Sequence, residues 1–562
     1  MRSFNVIPRI QAGGAAWQAR EGGMFLIETL STVLRRPFEP YVAPFVFPLL
    51  LQAFGDASGD VRDAAGDAAK AVMGELSPYG VKLILPGLME GLEEKAWRTK
   101  KGSAELLGMM AYSRSVQLEV VIPQITAVLG DSHAQVRSAA NKSLKMFGDV
   151  IGNPEVKKLV PSLLKALVDP SKTAVALKGV LNTTFVHYID RSSLAIMIPI
   201  VERGLRDRGS EGKKRAVRIV GNLAGLTDAA DFVPYLKGLM PLVRVVLVDP
   251  VPEARATAAK SLGTLVERLG EATFPELVGD LMRVLRGEEG VSGGVDRQGA
   301  AQGLSEVLAG LGMERLEGLL PDILINVRAP KAGVREGFMS LLVFLPATFG
   351  GRFAVHLPKI VSPILAGMRD VEESVREAAM RAGRMMVNSY ATKAVELLLP
   401  ELESGLFDGG WRIRQSSITL IGELLFKVSG ISSKDPDALE EDSADANTAK
   451  TLTEVLGSKR RDRLLAELYL VRQDGVAAVR QAALGIWKAI VSNTPRTVRE
   501  ILSELISLII TLRGGGEDEL EEVNRLYLCW PRSDLFPRPL HVLLLNWFAN
   551  SESELSAILW LS

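Results

Sequence analysis

The stretch DSHAQVRSAANKSLKMFGDVI, residues 131–151, decides the fold. It opens with an acidic turn residue, Asp131, and places a base, Arg137, six positions later. Small residues follow at once, then Leu and Phe at spacings of three and four, which is the signature of one buried face on a helix. A single such segment is an ordinary amphipathic helix. Its recurrence is what matters.

The same phrase returns along the chain as DASGDVRDAA (Asp56, Arg62), DPVPEARATAA (Asp249, Arg255) and DVEESVREAA (Asp370, Arg376). It returns again as DGGWRIRQSS (Asp408, Arg414) and DGVAAVRQAA (Asp474, Arg480). In EKAWRTKKGS the acid is Glu94 and the base is Lys100. Weaker copies place the base at Arg20, Lys178, Arg215, Arg297 and Arg335. From Arg20 to Arg414 successive bases stand 37 to 42 residues apart, and 66 residues then intervene before Arg480. That period belongs to helix-pair repeats that bury their apolar faces only by stacking on neighbours. The fold class is therefore all-α, an α-α superhelix of the HEAT/armadillo solenoid type with about twelve repeats. First helices are read as opening on proline in LILPGLMEGL, VIPQITAVL, LVPSLLKALV, LLPDILINV and HLPKIVSPILAGM, since proline costs little in a first turn. The repeated base is expected to reach the turn acid of its own or the next repeat, as a ladder along the array and not as catalytic machinery.

The solenoid is expected over residues 1–431 and 452–513. Residues 432–451, which contain KDPDALEEDSADANTAK, read as an acidic disordered loop. Residues 514–562 lose the register and read as a divergent tail, holding Trp530, Trp547, Trp560 and the lone Cys529.

Composition narrows function. Lys plus Arg and Asp plus Glu each number 66, so no field of one sign covers the chain and any basic site is local. One cysteine excludes an internal disulfide framework and a Cys-rich zinc site. His133, His187, His356 and His541 form no metal motif. A phosphate loop, a dinucleotide fingerprint on a strand and a nucleophile elbow are all missing, so no catalytic residue, metal or cofactor is expected. Apolar runs such as SLAIMIPIV and ELISLIITL stop near ten residues, against the ~20 of a membrane span. The expectation is a soluble, cytoplasmic, non-catalytic binding protein with no membrane and no DNA partner.

Local basic clusters are the remaining clue. Residues 95–101 carry four bases and no acid, residues 137–145 three and none, and residues 203–218 seven against two acids. Arg98, Lys100, Lys101, Lys142, Lys145, Lys213, Lys214 and Arg215 are the candidate RNA-facing bases, provided stacked repeats bring them to one edge. Solvated helix faces explain the same clusters without any ligand. Trp97, Ala104, Leu107 and Ala111 share a helical stripe, so Trp97 is read as the start of a buried face and not as a base-stacking residue.

Several stretches resemble the central part of a known family. They include GVKLILPGLMEGLEEKAWRTKKGSAELLGMMAY (80–112), DSHAQVRSAANKSLKMFGDVI (131–151) and DPVPEARATAAKSLGTLVERLGE (249–271). VDRQGAAQGLSEVLAGLGMERLEGLLPDI (295–323), VREGFMSLLVFLPATFG (334–350), FDGGWRIRQSSITLIGELLFKVSG (407–430) and SNTPRTVREIL (492–502) carry the same likeness. All resemble the general-control-nonderepressible HEAT-repeat proteins, and residues 78–270 also resemble the HEAT region of elongation factor three. The resemblance implies a cytoplasmic, ribosome-associated scaffold that contacts rRNA and ribosomal proteins. It also implies work with an ABC-type partner to activate the starvation-sensing kinase of initiation factor two's alpha subunit. The family's kinase-binding segment lies further toward its C-terminus, so this stretch is expected to lack most of it. The residues by themselves leave open a generic HEAT adaptor that holds a protein client along its concave face.

Overall fold

A computed structural model describes residues 16–110, 118–288, 293–429, 452–491 and 493–513. The expected acidic loop and divergent tail lie outside the described residues, as does Ala111. The chain divides into two units, Met1–Tyr390 and Ala391–Ser562.

In the first unit a lone helix, α1 (Trp17–Leu34), is followed by nine helix pairs among the described residues. They are α2 (Phe47–Phe54) with α3 (Gly59–Glu75), α4 (Pro78–Glu93) with α5 (Trp97–Met109), and α6 (Leu118–Val128) with α7 (Ala134–Asp149). Next come α8 (Pro154–Val168) with α9 (Thr173–Asn182), α10 (Arg191–Leu205) with α11 (Ser210–Leu226), and α12 (Ala229–Leu247) with α13 (Pro252–Leu269). The last three are α14 (Leu277–Arg286) with α15 (Gly294–Leu311), α16 (Met313–Asn326) with α17 (Ala332–Phe349), and α18 (Leu357–Met368) with α19 (Glu373–Ser389). Odd-numbered second helices stack on one another: α1 on α3, α5 on α7, and α11, α13, α15, α17 and α19 in succession. The unit is an all-α solenoid.

Small residues make this stacking close. On α3, Val61, Ala64, Ala65, Ala68, Ala69 and Val72 are all buried. Ser143 on α7 donates its hydroxyl to the Ala104 carbonyl of α5 at 2.7 Å, and Ser261 on α13 donates to Val217 of α11 at 2.9 Å. A Cβ on Gly108 would lie 2.5 Å from Ser143 Oγ, and one on Gly221 would lie 2.7 Å from Ser261 Oγ. Glycine faces serine here because the backbones leave no room for more.

Most of the prolines differ from the sequence reading. Pro86, Pro123, Pro161 and Pro321 lie inside first helices, which begin one to two turns earlier, whereas Pro358 of HLPKIVSPILAGM occupies the first turn of α18 as read, with Pro363 following inside it. Pro78 and Pro154 also occupy first turns, behind side-chain caps from Ser77 and Asn153. Pro86, Pro123, Pro161 and Pro321 are exposed. An interior proline removes one backbone bond and bends a helix away from itself, so a proline on the outer face curves the helix around the core.

One place breaks the regular stack. α6 packs directly on α10, although the α8–α9 pair separates them in sequence. α8 leans on α7, and between them opens a cavity of about 630 Å³ with Leu144, Val160 and Leu164 in its walls. The apolar-run reading also needs a correction. Ala332–Met368 is long and apolar enough, by length and composition, to cross a membrane. It consists of α17, a tight turn over Gly350–His356 and α18, and 56% of its most apolar window is buried, as solenoid core helices are.

In the second unit, α20 (Ala391–Leu397) and α21 (Leu399–Gly405) form a split first helix packed on α22 (Trp411–Ser429). Then come α23 (Ser458–Val471), α24 (Ala477–Ile490), α25 (Thr494–Glu500) and α26 (Leu502–Arg513). α22 packs on α24, so the helix stacking continues past residues 430–451.

Candidate functional site

The recurrent acid and base form one construction. In seven copies the base is an arginine that sends Nη1 back to the two carbonyls that begin its own turn. Arg62, Arg137, Arg255, Arg335, Arg376, Arg414 and Arg480 do this at 2.6–3.2 Å. The turn carboxylate accepts from the backbone N–H two residues on, at 2.8–3.0 Å for Asp56, Asp131, Asp249, Asp370, Asp408 and Asp474. That carboxylate then receives the base of the preceding repeat. Arg20 reaches Asp56 at 2.6 Å, Lys100 reaches Asp131 at 2.9 Å and Lys213 reaches Asp249 at 2.9 Å. Arg335 reaches Asp370 at 2.7 Å, and within the second unit Arg414 reaches Asp474 at 2.6 Å. Arg297 instead pairs with Glu336, on the next second helix itself, at 2.6 Å.

These contacts set the acidities. The Arg20 hydrogen bond holds the Asp56 carboxyl below the usual range, and Arg335 does the same for Asp370. For Asp131 the largest cause is the His133 N–H, with Lys100 second. Burial pushes against ionisation at Asp249 and Asp474, and the hydrogen bonds from Lys213 and Arg414, with those of the turn N–H groups, outweigh it.

The candidate bases separate on this geometry. Lys100 and Lys213 are held between repeats and are unavailable to a ligand. Lys213 also corrects the register: it fills the ladder slot six residues after Asp207, whereas Arg215 and Lys214 turn to Glu211 at 3.1 and 3.7 Å. Lys101 faces Glu105 at 3.8 Å. The Arg98 guanidinium lies 4.9 Å above the Trp97 ring, and its Nε is buried without a hydrogen bond. Trp97 itself is half-buried at the rim of the stripe whose floor is Ala104 and Leu107, and it stacks on His133 of the next repeat at 3.8 Å. Lys142 and Lys145 are exposed on α7.

Register then shows which bases share a column. The slot after the ladder base reads Asp63, Lys101, Ser138, Gly179, Lys214, Ala256, so Lys101 and Lys214 are isolated from each other. Five positions after it stand Lys142 on α7, Arg218 on α11 and Lys260 on α13, all exposed. α11 and α13 are packed neighbours, which puts Arg218 and Lys260 side by side on the outer surface of the stack. Sequence reading counted Arg218 only within a cluster and passed over Lys260; aligning on Lys213 is the signal that finds the column. Among the described residues no group of His, Cys, Asp and Glu is arranged to hold a metal ion.

Residues 10–144 match the family described as EF3 N-terminal HEAT repeat, and residues 171–276 match Elongation factor 3/GNC1 HEAT repeat. The two matches leave residues 145–170 between them, the stretch that holds α8. The eIF-2-alpha kinase activator GCN1 of Saccharomyces cerevisiae is 48% identical over 509 residues, 90% of this chain and 19% of that protein. The chain is homologous to the GCN1 proteins. The Stalled ribosome sensor GCN1 of Homo sapiens is 47% identical over 506 residues, 88% of this chain. Of either GCN1 relative the chain spans about a fifth, 19%. A crystal structure of Kap121p bound to Ste12p is also similar, at a TM-score of 0.38 and 13% identity, over 90% of this chain and 54% of that one.

Proposed function

We propose that this chain is a non-catalytic, ribosome-associated scaffold in translational control, serving activation of the kinase that phosphorylates initiation factor two's alpha subunit. The observation that carries the reading is the 47–48% identity across about nine-tenths of the chain to proteins named for stalled-ribosome sensing and for that kinase's activation. Arg218 and Lys260 support it, because exposed bases at one register of two packed helices suit a phosphate backbone better than isolated lysines do. The scaffold is cytoplasmic, and rRNA with its ribosomal proteins is the proposed surface. An ABC-type partner protein and the starvation-sensing kinase complete the proposed set of partners. A bound cofactor has no part in it.

Co-sedimentation with purified ribosomes across a salt series tests the reading. Binding weakens with salt and falls when Lys142, Arg218 and Lys260 are all changed to Glu. Absence from ribosomes even at low salt would contradict it. A single protein client recovered without ribosomal proteins would favour the HEAT adaptor instead.

A further inference from the structure

Residues 183–190, TTFVHYID, join α9 to α10. Its eight residues exceed the two that join α11 to α12 and are close to the seven that join α13 to α14 and α17 to α18. The loop is nevertheless fixed at every stage. Phe185 is half-buried and lines a small cavity with Met197 and Leu223. The Asn153 side chain, 5% exposed, donates to the carbonyl of Tyr188 at 2.9 Å and to that of His187 at 3.4 Å. Its own oxygen caps α8 by accepting from Val156 N–H at 2.8 Å. Ile189 is 1% exposed, and its N–H donates to Leu226 O at 2.8 Å. The Asp190 carboxylate is closed off by the hydroxyls of Ser192 and Ser193.

What this frame holds out is unusual. Tyr188 is 78% exposed and Val186 80%, both on backbone already ordered. The nearby acids are answered: Glu155 meets His187 Nδ1 at 2.8 Å, which holds its carboxyl below the usual range, and Asp190 is tied up in its own turn. Lys157 and Lys158, two and three residues after Glu155 at the start of α8, are exposed, and the Lys158 charge adds to what holds the Glu155 carboxyl down. An exposed aromatic on fixed backbone, with two exposed cations on the helix whose cap anchors it, is a combination that binds an unpaired nucleotide. The ring takes the base by stacking and the cations take the phosphates, with little ordering cost left at binding.

We propose that this loop is a stacking finger for single-stranded RNA, with one base on Tyr188 and the adjoining phosphates on Lys157 and Lys158. It rests on the ribosome reading only for the source of that RNA, an unpaired rRNA segment. The test uses the whole chain and two fluorescein-labelled probes, a twelve-nucleotide single-stranded oligouridine and a twelve-base-pair RNA duplex, read by anisotropy. Tyr188→Ala should weaken single-strand binding roughly 5- to 100-fold, the fold-change that ~1–3 kcal/mol of stacking corresponds to. Tyr188→Trp should retain binding and Tyr188→Leu should lose it, while Lys157→Glu with Lys158→Glu should flatten the salt dependence. Unchanged affinity in Tyr188→Ala overturns the proposal. So does full binding by Tyr188→Leu, which would mark an apolar contact of the kind a protein partner makes, or equal affinity for the duplex. Ribosome co-sedimentation of the same variants separates the two claims. Ribosome binding without oligouridine binding removes the finger and leaves the scaffold reading, and the reverse removes the reading and keeps the finger.

Discussion

At the residue scale the ladder base does two jobs that the sequence presents as alternatives. Arg335 shows both at once: Nη1 ties down Ala329 and Pro330 of its own turn while Nε and Nη2 grip Asp370 at 2.7 and 2.8 Å. Arg62 holds its own turn, with no carboxylate of the next repeat bonded to it among the described residues. Removing Arg335 therefore orphans a half-buried carboxylate as well as two carbonyls. Arg335→Ala should cost roughly 2–4 kcal/mol and Arg62→Ala about 1–2 kcal/mol in urea unfolding, and equal losses would show that the inter-repeat pair adds nothing. The acid side has a sign that can be checked. Asp56, Asp131 and Asp370 ionise more readily folded than unfolded, so their contribution is present above the ordinary Asp range and is lost as pH falls through the lowered folded value. Arg335→Ala should accordingly show a shallower acid limb than the parent chain. The spacing of six was legible because a base reaching its own turn needs it. The register at Lys213 was not, because KKR offers three bases and only the position of Asp249 selects among them.

At the element scale, helix number and pairing followed from the period, while the starts of the first helices did not. Proline reads as a first-turn residue, and only packing reveals that Pro86 or Pro161 sits on an outer face where bending costs least. The second unit holds a feature with no sequence signal at all. Glu467 on α23 is 2% exposed and faces Glu403 of α21, with Arg463 donating at 3.2 Å and Arg460 3.6 Å from Glu403. Burial, and then repulsion from Glu403, push the Glu467 carboxyl up to about 7. A raised carboxyl stabilises the folded state below the unfolded value and loses that contribution as pH rises toward the folded one. Thermal unfolding of this unit should thus weaken between about pH 4.5 and 7 and level off above. Glu467→Gln should flatten that slope and raise stability at pH 8 by ~1–3 kcal/mol. An unchanged slope would locate the titration elsewhere.

At the scale of the whole molecule, a neutral chain offers partners only what stacking concentrates. Equal numbers of acids and bases, 66 each, hide the fact that many of the bases lie inside the ladder. Counting clusters along the sequence therefore ranked Lys100 and Lys213 beside Lys142, although the first two are half-buried and held in ion pairs and the third faces solvent. The Tyr188 finger was invisible for a related reason, since nothing in TTFVHYID announces that Asn153, thirty-five residues earlier, will hold it rigid. The scaffold account then turns on one comparison of two triple variants that remove the same charge from different places. Lys142→Met with Arg218→Met and Lys260→Met changes the outer column. Lys100→Met with Lys213→Met and Arg335→Met removes three ladder bases and should lower stability. Ribosome co-sedimentation at moderate salt, below the unfolding temperature of both, reads the difference. The account predicts roughly tenfold or greater loss for the outer variant and near-parent binding for the ladder variant while it stays folded. Equal retention by the outer variant would contradict the claim that this solenoid meets the ribosome through its exposed register of bases.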